Sequence, residues 1–134
     1  MNTMMIQSLR SAQQEATIQL LAERHYEQVY GFFNAFFDNP ALCLELTDHS
    51  FRDAELSGMS TVGVFTQAVA RLKGRPGFAV PVETSSFESN IAWMLKEIAG
   101  LSYLQISHTL GISSQDVKER IAGIRMSVMT QLAA

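Results

Sequence analysis

The amino-acid sequence predicts an all-α protein built from two small helical domains joined by a short linker. Apolar residues recur at three- and four-residue spacing along most of the chain, which is the pattern of amphipathic helices. A stretch rich in proline and glycine interrupts this pattern at residues 74–84. No alternating apolar and polar pattern of any length competes with the helices. A chain of 134 residues, 47% hydrophobic and 17% charged, is typical of a folded globular protein.

The N-terminal domain, residues 1–73, is predicted to contain three helices. They span residues 17–37, 40–55 and 61–73. Pro40 suits the first turn of a helix, and glycines at 58 and 74 end the second and third helices. The predicted buried positions are Leu20, Leu21, Tyr26, Val29, Tyr30, Phe33, Phe36, Phe37, Leu42, Leu46, Ser50 or Phe51, Ala54, Val62, Phe65, Val69 and Leu72. We interpret the aromatic stripe of the first helix as core rather than as a surface for stacking bases.

The predicted linker, residues 74–84, holds two of the three prolines and two glycines, so helix is excluded over most of it. The C-terminal domain, residues 85–134, then shows three helix starts. Each is a serine followed three residues later by a side-chain acceptor, namely Ser85 with Glu88, Ser102 with Gln105 and Ser113 with Asp116. The predicted helices are 85–99, 102–110 and 113–132. Their predicted buried positions are Ile91, Met94, Leu95, Ile98, Ile106, Leu110, Val117, Ile121, Ile124 and Val128.

The last two helices are separated by a turn of the helix-turn-helix type. Gly111 permits the positive backbone angle of a sharp turn, and Ile112 is placed to fill the angle between the helices. Such a unit either binds DNA or serves as a purely structural three-helix unit. The sequence therefore offers both a nucleic-acid and a structural interpretation of this domain.

Composition and charge exclude several other classes of function. With 10 basic and 13 acidic residues the net charge is -3, which argues against tight DNA binding by the isolated chain. Cys43 is alone, and His25, His49 and His108 are too dispersed for a metal site, so we expect no metal and no cofactor. No catalytic motif is present, and we expect no enzyme activity. No apolar run reaches the roughly 18 residues of a membrane span, and residues 1–10 lack the basic-then-apolar order of a signal peptide, so we expect a cytoplasmic protein.

Residues 100–120, which read G-L-S-Y-L-Q-I-S-H-T-L-G-I-S-S-Q-D-V-K-E-R, closely resemble the C-terminal promoter-binding domain of extracytoplasmic-function sigma factors of the sigma-70 family. The likeness includes the preceding residues 94–99. Residues 22–32 and 39–51 resemble, more faintly and in the same order, the first two helices of the sigma N-terminal domain.

The resemblance implies two interaction surfaces. In the family the second helix docks on the clamp helices of RNA polymerase, and the last helix enters the major groove of promoter DNA. The implied polymerase-docking residues are Glu45, Leu46, Thr47, Asp48 and Phe51. The implied DNA-binding residues are Ser114, Gln115, Lys118, Arg120 and Arg125.

The chain departs from the family pattern where a sigma factor melts and holds DNA. Residues 64–73 lack the tryptophan, the asparagine and most of the arginines of the family, although Phe65, Arg71, Lys73 and Arg75 remain. In the last helix, Ala122 and Gly123 stand where basic residues are usual. Asp116 and Glu119 would repel phosphate. We therefore expect weak binding of promoter DNA unless the protein is recruited by RNA polymerase.

The expected function is that of a sigma-factor-like transcription regulator whose partners are core RNA polymerase and promoter DNA, with no membrane. One alternative is a degenerate sigma-like interaction module without promoter opening, which binds an anti-sigma factor, polymerase or itself. Another is a free-standing dimeric repressor, whose homodimer contact would be made by Met126, Val128, Met129 and Leu132.

Overall fold

The structure is a computed structural model that describes residues 12, 16, 19–20, 23, 25–57, 60–75 and 78–133. Over these ranges the regular structure is entirely helical, which confirms the all-α prediction. The five isolated or paired positions before residue 24 are helical, and residues 25–34 form α1. The later helices are α2 (Pro40–Ser57), α3 (Thr61–Lys73), α4 (Phe87–Glu97), α5 (Tyr103–Leu110) and α6 (Ser114–Ala133). Of the sequence predictions, those at Thr17, Leu21, Gly58, Pro76 and Gly77 lie outside the described residues.

Aromatic side chains dominate the packing of α1 to α3. Phe32 is fully buried, and its ring meets those of Phe33, Phe36 and Phe65 edge to face at centroid distances of 5.7, 5.2 and 6.2 Å. The predicted aromatic stripe consists of Tyr26, Tyr30, Phe33 and Phe37. It is confirmed as part of the core at Phe33, whereas its other three members are half-buried against the core. Leu20 was predicted to be buried but is 56% exposed.

Helices α2 and α3 begin at side-chain caps. The Asn39 side chain accepts a hydrogen bond from the backbone of Leu42 at 3.1 Å, and Ser60 accepts one from Gly63 at 2.9 Å. Both caps satisfy backbone donors that the first turn of a helix leaves free. The prediction of 61–73 for the third helix is confirmed. Predicted core residue Val62 is half-buried.

The segment between α3 and α4 is packed rather than extended into solvent. Phe78 places its ring 5.4 Å from Phe36 and 5.9 Å from Phe87, so it joins aromatic side chains on either side of the segment. Val82 is buried, and its backbone N–H and C=O each bond the side chain of Asn90 at 2.9 Å. Because Asn90 is itself fully buried, these bonds fix the end of the segment onto α4.

Helix α4 begins at Phe87, two residues later than predicted. Ser86, and not Ser85, is the N-cap, since its hydroxyl accepts a hydrogen bond from the backbone N–H of Ser89. Ser85 instead belongs to a turn in which its N–H bonds the carbonyl of Val82 at 3.1 Å. The helix also ends early, at Glu97, so Ile98 lies in the following turn and is 40% exposed although it was predicted to be buried. Two further predicted core residues, Leu110 and Val128, are half-buried.

The predicted helix-turn-helix geometry is confirmed between α5 and α6. Ser102 and Gln105 form the reciprocal capping box, and Gly111 adopts the left-handed conformation with φ of 71°. The Ser107 hydroxyl donates to the carbonyl of Ile112 at 2.5 Å, which ties α5 to the turn. Ser113 then caps α6 by accepting from the N–H of Asp116 at 3.0 Å.

The two halves of the chain share one hydrophobic core. A single buried cluster runs from Val29 of α1 to Ile121 of α6, and α3 contacts α5 across the junction. Burial of this kind removes apolar surface of both halves from water together. The division into domains at 1–73, 74–84 and 85–134 stays a prediction, but the two parts lie in contact in this structure.

Candidate nucleic-acid interface

Helix α6 buries one face and exposes another. Val117, Ile121 and Ile124 are buried at the spacing of one helical face. Among the predicted DNA-binding residues, Gln115, Lys118 and Arg125 are exposed, whereas Ser114 and Arg120 are half-buried. The exposed face also carries Glu119 and Ala122. The first two turns of α6 are therefore accessible to a large ligand.

Beside this exposed face, two lysine side chains converge on one aromatic ring. The ammonium of Lys96 lies 4.9 Å from the centre of the Tyr103 ring, and that of Lys118 lies 5.6 Å from it. Lys96 is in the last turn of α4, Tyr103 begins α5, and Lys118 is in the second turn of α6. A cation is attracted to the face of an aromatic ring without losing its charge. The ring therefore holds two cations from different helices close together.

Arg125 extends this group on the same helix as Lys118. Its guanidinium donates to Glu97 at 2.7 Å, and the side chain of Arg125 is 51% exposed. The hydrogen bond to Glu97 raises the pKa of the Arg125 guanidinium, and Tyr103 adds a smaller effect in the same direction. We call the group of Lys96, Glu97, Tyr103, Lys118 and Arg125 the Tyr103 cluster. Its three cations and one carboxylate leave a local positive excess in a chain whose net charge is -3.

Arg120 is engaged on another side of α6. It bonds the hydroxyls of Ser86 and Ser89 at 3.2 Å each, and it forms ion pairs with Asp116 at 3.2 Å and Glu88 at 3.6 Å. These contacts join α6 to the start of α4. The guanidinium is therefore held by hydroxyls and carboxylates, whereas the ammonium of Lys118 lies against an uncharged aromatic ring.

Lys96 and Tyr103 are not among the interface residues predicted from the sequence. Their separation from Lys118 along the chain follows no helical spacing, because the turns at either end of α5 intervene. No sequence pattern indicates this proximity. The path of the chain through those two turns brings the three side chains together.

The predicted polymerase-docking residues divide into buried and exposed sets. Leu46, Thr47 and Phe51 are buried, with 3%, 0% and 8% exposure. Thr47 bonds the carbonyl of Cys43 at 2.6 Å, and Phe51 stacks on Tyr26 at 6.1 Å. In this structure these three residues stabilise the N-terminal helices and offer no surface to a partner.

Glu45 and Asp48 are exposed on the outer side of α2. Glu45 lies 3.8 Å from His49, and Asp48 accepts a hydrogen bond from the hydroxyl of Tyr26 at 3.3 Å. Leu44 beside them is 46% exposed. A partner that approached α2 here would meet a face with two carboxylates and one apolar side chain.

Two other reactive side chains, Cys43 and His25, belong to the packing of the N-terminal helices. Cys43 is buried, and burial raises the pKa of its thiol. His25 bridges helices α1 and α3, with Nδ1 2.6 Å from Gln28 and Nε2 3.0 Å from Thr61. Among the described residues, no group of His, Cys, Asp and Glu side chains could hold a metal ion. None of the helices in the described ranges is long and apolar enough to span a membrane.

Comparison with known proteins gave no match to this chain among family models, curated proteins or solved structures. The interpretation of the Tyr103 cluster therefore depends on its geometry. Three cations beside the accessible face of a helix-turn-helix form an arrangement suited to the phosphates of DNA.

Proposed function

We propose that this protein is a sigma-factor-like transcription regulator that contacts promoter DNA through α5, the Gly111 turn and α6. The observation that carries the proposal is the position of the Tyr103 cluster beside the exposed start of α6. Cations bound to the phosphate backbone orient a recognition helix, while short polar side chains read the edges of bases. Lys96 and Lys118 suit the first role, and Gln115 suits the second.

The number of available cations implies weak binding. Each phosphate that a protein neutralises contributes about -0.9 to the slope of log affinity against log salt. Contacts from Lys96 and Lys118 alone would therefore produce a slope of about -2, and a third contact from Arg125 would bring it to about -3. A regulator of this strength needs a tether, and binding to core RNA polymerase would supply it by raising the effective concentration at the promoter.

The polymerase contact is assigned to the exposed side of α2. Glu45 and Asp48 remain accessible there, and Leu44 provides an apolar contact beside them. A mixed face of this kind suits a transient protein contact. Leu46, Thr47 and Phe51 would support it from within the core.

DNA binding is tested by fluorescence anisotropy with labelled duplex DNA at low salt. We expect Lys118→Glu and Lys96→Glu each to weaken binding about tenfold, because each loses a phosphate contact and adds a repulsive charge. Arg52→Glu is the matched control, since Arg52 is an exposed cation on α2, a helix that contributes no residue to the Tyr103 cluster. It makes the same change of charge. Equal losses in all three variants would show that net charge, and not the Tyr103 cluster, governs binding.

The polymerase contact is tested by co-purification with core RNA polymerase. Wild type should be retained, and the double variant Glu45→Lys/Asp48→Lys should be lost, while Lys118→Glu should still bind. Failure of wild type to bind polymerase would remove polymerase from the proposal. It would leave the DNA-binding measurement unaffected.

A second candidate function is a protein-interaction module that does not open promoters. The observation that favours it is an exposed apolar stripe at the end of α6, where Met126, Met129 and Leu132 are 70%, 64% and 83% exposed. This candidate predicts association with a protein that persists when Lys118 is changed to Glu. Sedimentation of wild type and of Met129→Glu distinguishes self-association from a monomer.

A further inference from the structure

Helix α4 places a carboxylate against each arginine of α6. Near its start, Glu88 lies 3.6 Å from Arg120, and at its end Glu97 lies 2.7 Å from Arg125. Lys118 differs from both arginines because it faces the uncharged ring of Tyr103. The cations of α6 are therefore not equally available to an anionic ligand.

Without a partner, the carboxylate of Glu97 would lie in an electrostatically unfavourable position. It is the last residue of α4, where the partial negative charge of the helix end repels a carboxylate. The contact with Arg125 offsets this repulsion. The Glu97 side chain is 40% exposed, so water and ions reach the pair and a competing phosphate could displace it.

We propose that Glu97 is an intramolecular counter-anion of the DNA interface, which must be displaced before Arg125 can bind a phosphate. This inference depends on the proposed function, because it concerns how strongly the same surface binds DNA. Glu97 occupies Arg125 in the free protein and lowers the affinity for DNA. Promoter contact would then depend more heavily on recruitment.

The expected size of the effect follows from the exposure of the pair. Exposed ion pairs have coupling energies that correspond to about two- to fivefold in an equilibrium constant. Removing the carboxylate should therefore raise the affinity for duplex DNA about threefold. If Arg125 then neutralises one more phosphate, the salt dependence should steepen by about 0.9 in log-log slope.

The test compares wild type, Glu97→Gln, Arg125→Ala and the double variant by anisotropy with one labelled DNA duplex over a salt series. Glutamine preserves the size of the side chain and removes its charge. Glu55→Gln is the control for net charge, since Glu55 is an exposed carboxylate on α2. We expect Glu97→Gln to bind more tightly with a steeper slope, Glu55→Gln to match wild type, and the gain to vanish when Arg125 is alanine.

Two results would overturn the inference and leave the proposed function intact. One is an unchanged affinity for Glu97→Gln while Lys118→Glu weakens binding. The other is an equal gain with and without Arg125, which would show that Glu97 acts on DNA directly through its charge. Absence of DNA binding by every variant, at low salt, would overturn both the inference and the proposed function.

Discussion

The N-terminal and C-terminal halves use similar helical patterns for different purposes. In α1 to α3, the helix proposed to dock on polymerase turns Leu46, Thr47 and Phe51 inward. In α4 to α6, aliphatic residues fill the core, and the cations proposed to bind DNA remain at the surface near Tyr103. Three- and four-residue spacing therefore identifies an apolar face but does not distinguish a core from a docking surface.

Removing an aromatic ring from the N-terminal half should have the largest effect. Phe32→Ala deletes a fully buried ring that contacts three others, so we expect the free energy of unfolding to fall by about 3–5 kcal/mol. Because the core is continuous, the C-terminal half should also unfold at a lower urea concentration. Trp93, the single tryptophan, lies on α4 and reports on that half by fluorescence.

The measurement is urea unfolding followed by Trp93 fluorescence and by far-ultraviolet circular dichroism. Both signals should shift together in Phe32→Ala if the halves unfold as one cooperative unit. Ala122→Ser, at an exposed position of α6, serves as a control with little expected change. An unshifted fluorescence transition beside a shifted dichroism transition would show that the halves unfold independently.

A smaller effect on stability should distinguish a glycine in the turn of the C-terminal half from a glycine within α6. Gly111→Ala adds a Cβ that meets nothing within 4 Å, but it places alanine at φ of 71°, which costs about 1–2 kcal/mol. Gly123→Ala is the matched change, also in open space but within α6, and should stabilise the protein by about 0.5–1 kcal/mol. Thermal unfolding measures both. The same sign for both variants would contradict this account of the turn.

The smallest expected effect concerns the buried thiol of the N-terminal half. Burial raises the pKa of Cys43 in the folded state above its ordinary value of 9.0. The unfolded chain therefore releases its proton first, so the stability associated with the neutral thiol is fully present below about pH 9 and is lost as the pH rises from there through the folded-state pKa. Above about pH 9, the free energy of unfolding should fall more steeply in wild type than in Cys43→Ala. Parallel curves would show that the thiol titrates alike in both states.

Much of the fold could be predicted from residues close together in the chain. The bounds of α3, the capping box of Ser102 and Gln105, and the positive φ of Gly111 follow from local backbone chemistry, and the structure confirms them. The error at the start of α4 arose because two adjacent serines are both able to cap a helix. Either Ser85 or Ser86 could cap α4, and the choice follows from the bonds between Val82 and Asn90, which place Ser85 in the preceding turn.

The sequence by itself determined the all-helical class, the helix-turn-helix and the non-helical segment between the halves, because these depend on hydrophobic spacing, capping and backbone angles within a few residues. Only the tertiary structure decided which cations of α6 are paired, which predicted docking residues are buried, and that Lys96 lies beside Lys118 around Tyr103. These outcomes depend on contacts between residues far apart in the chain. Such contacts arise when the helices pack together, and no local pattern encodes them.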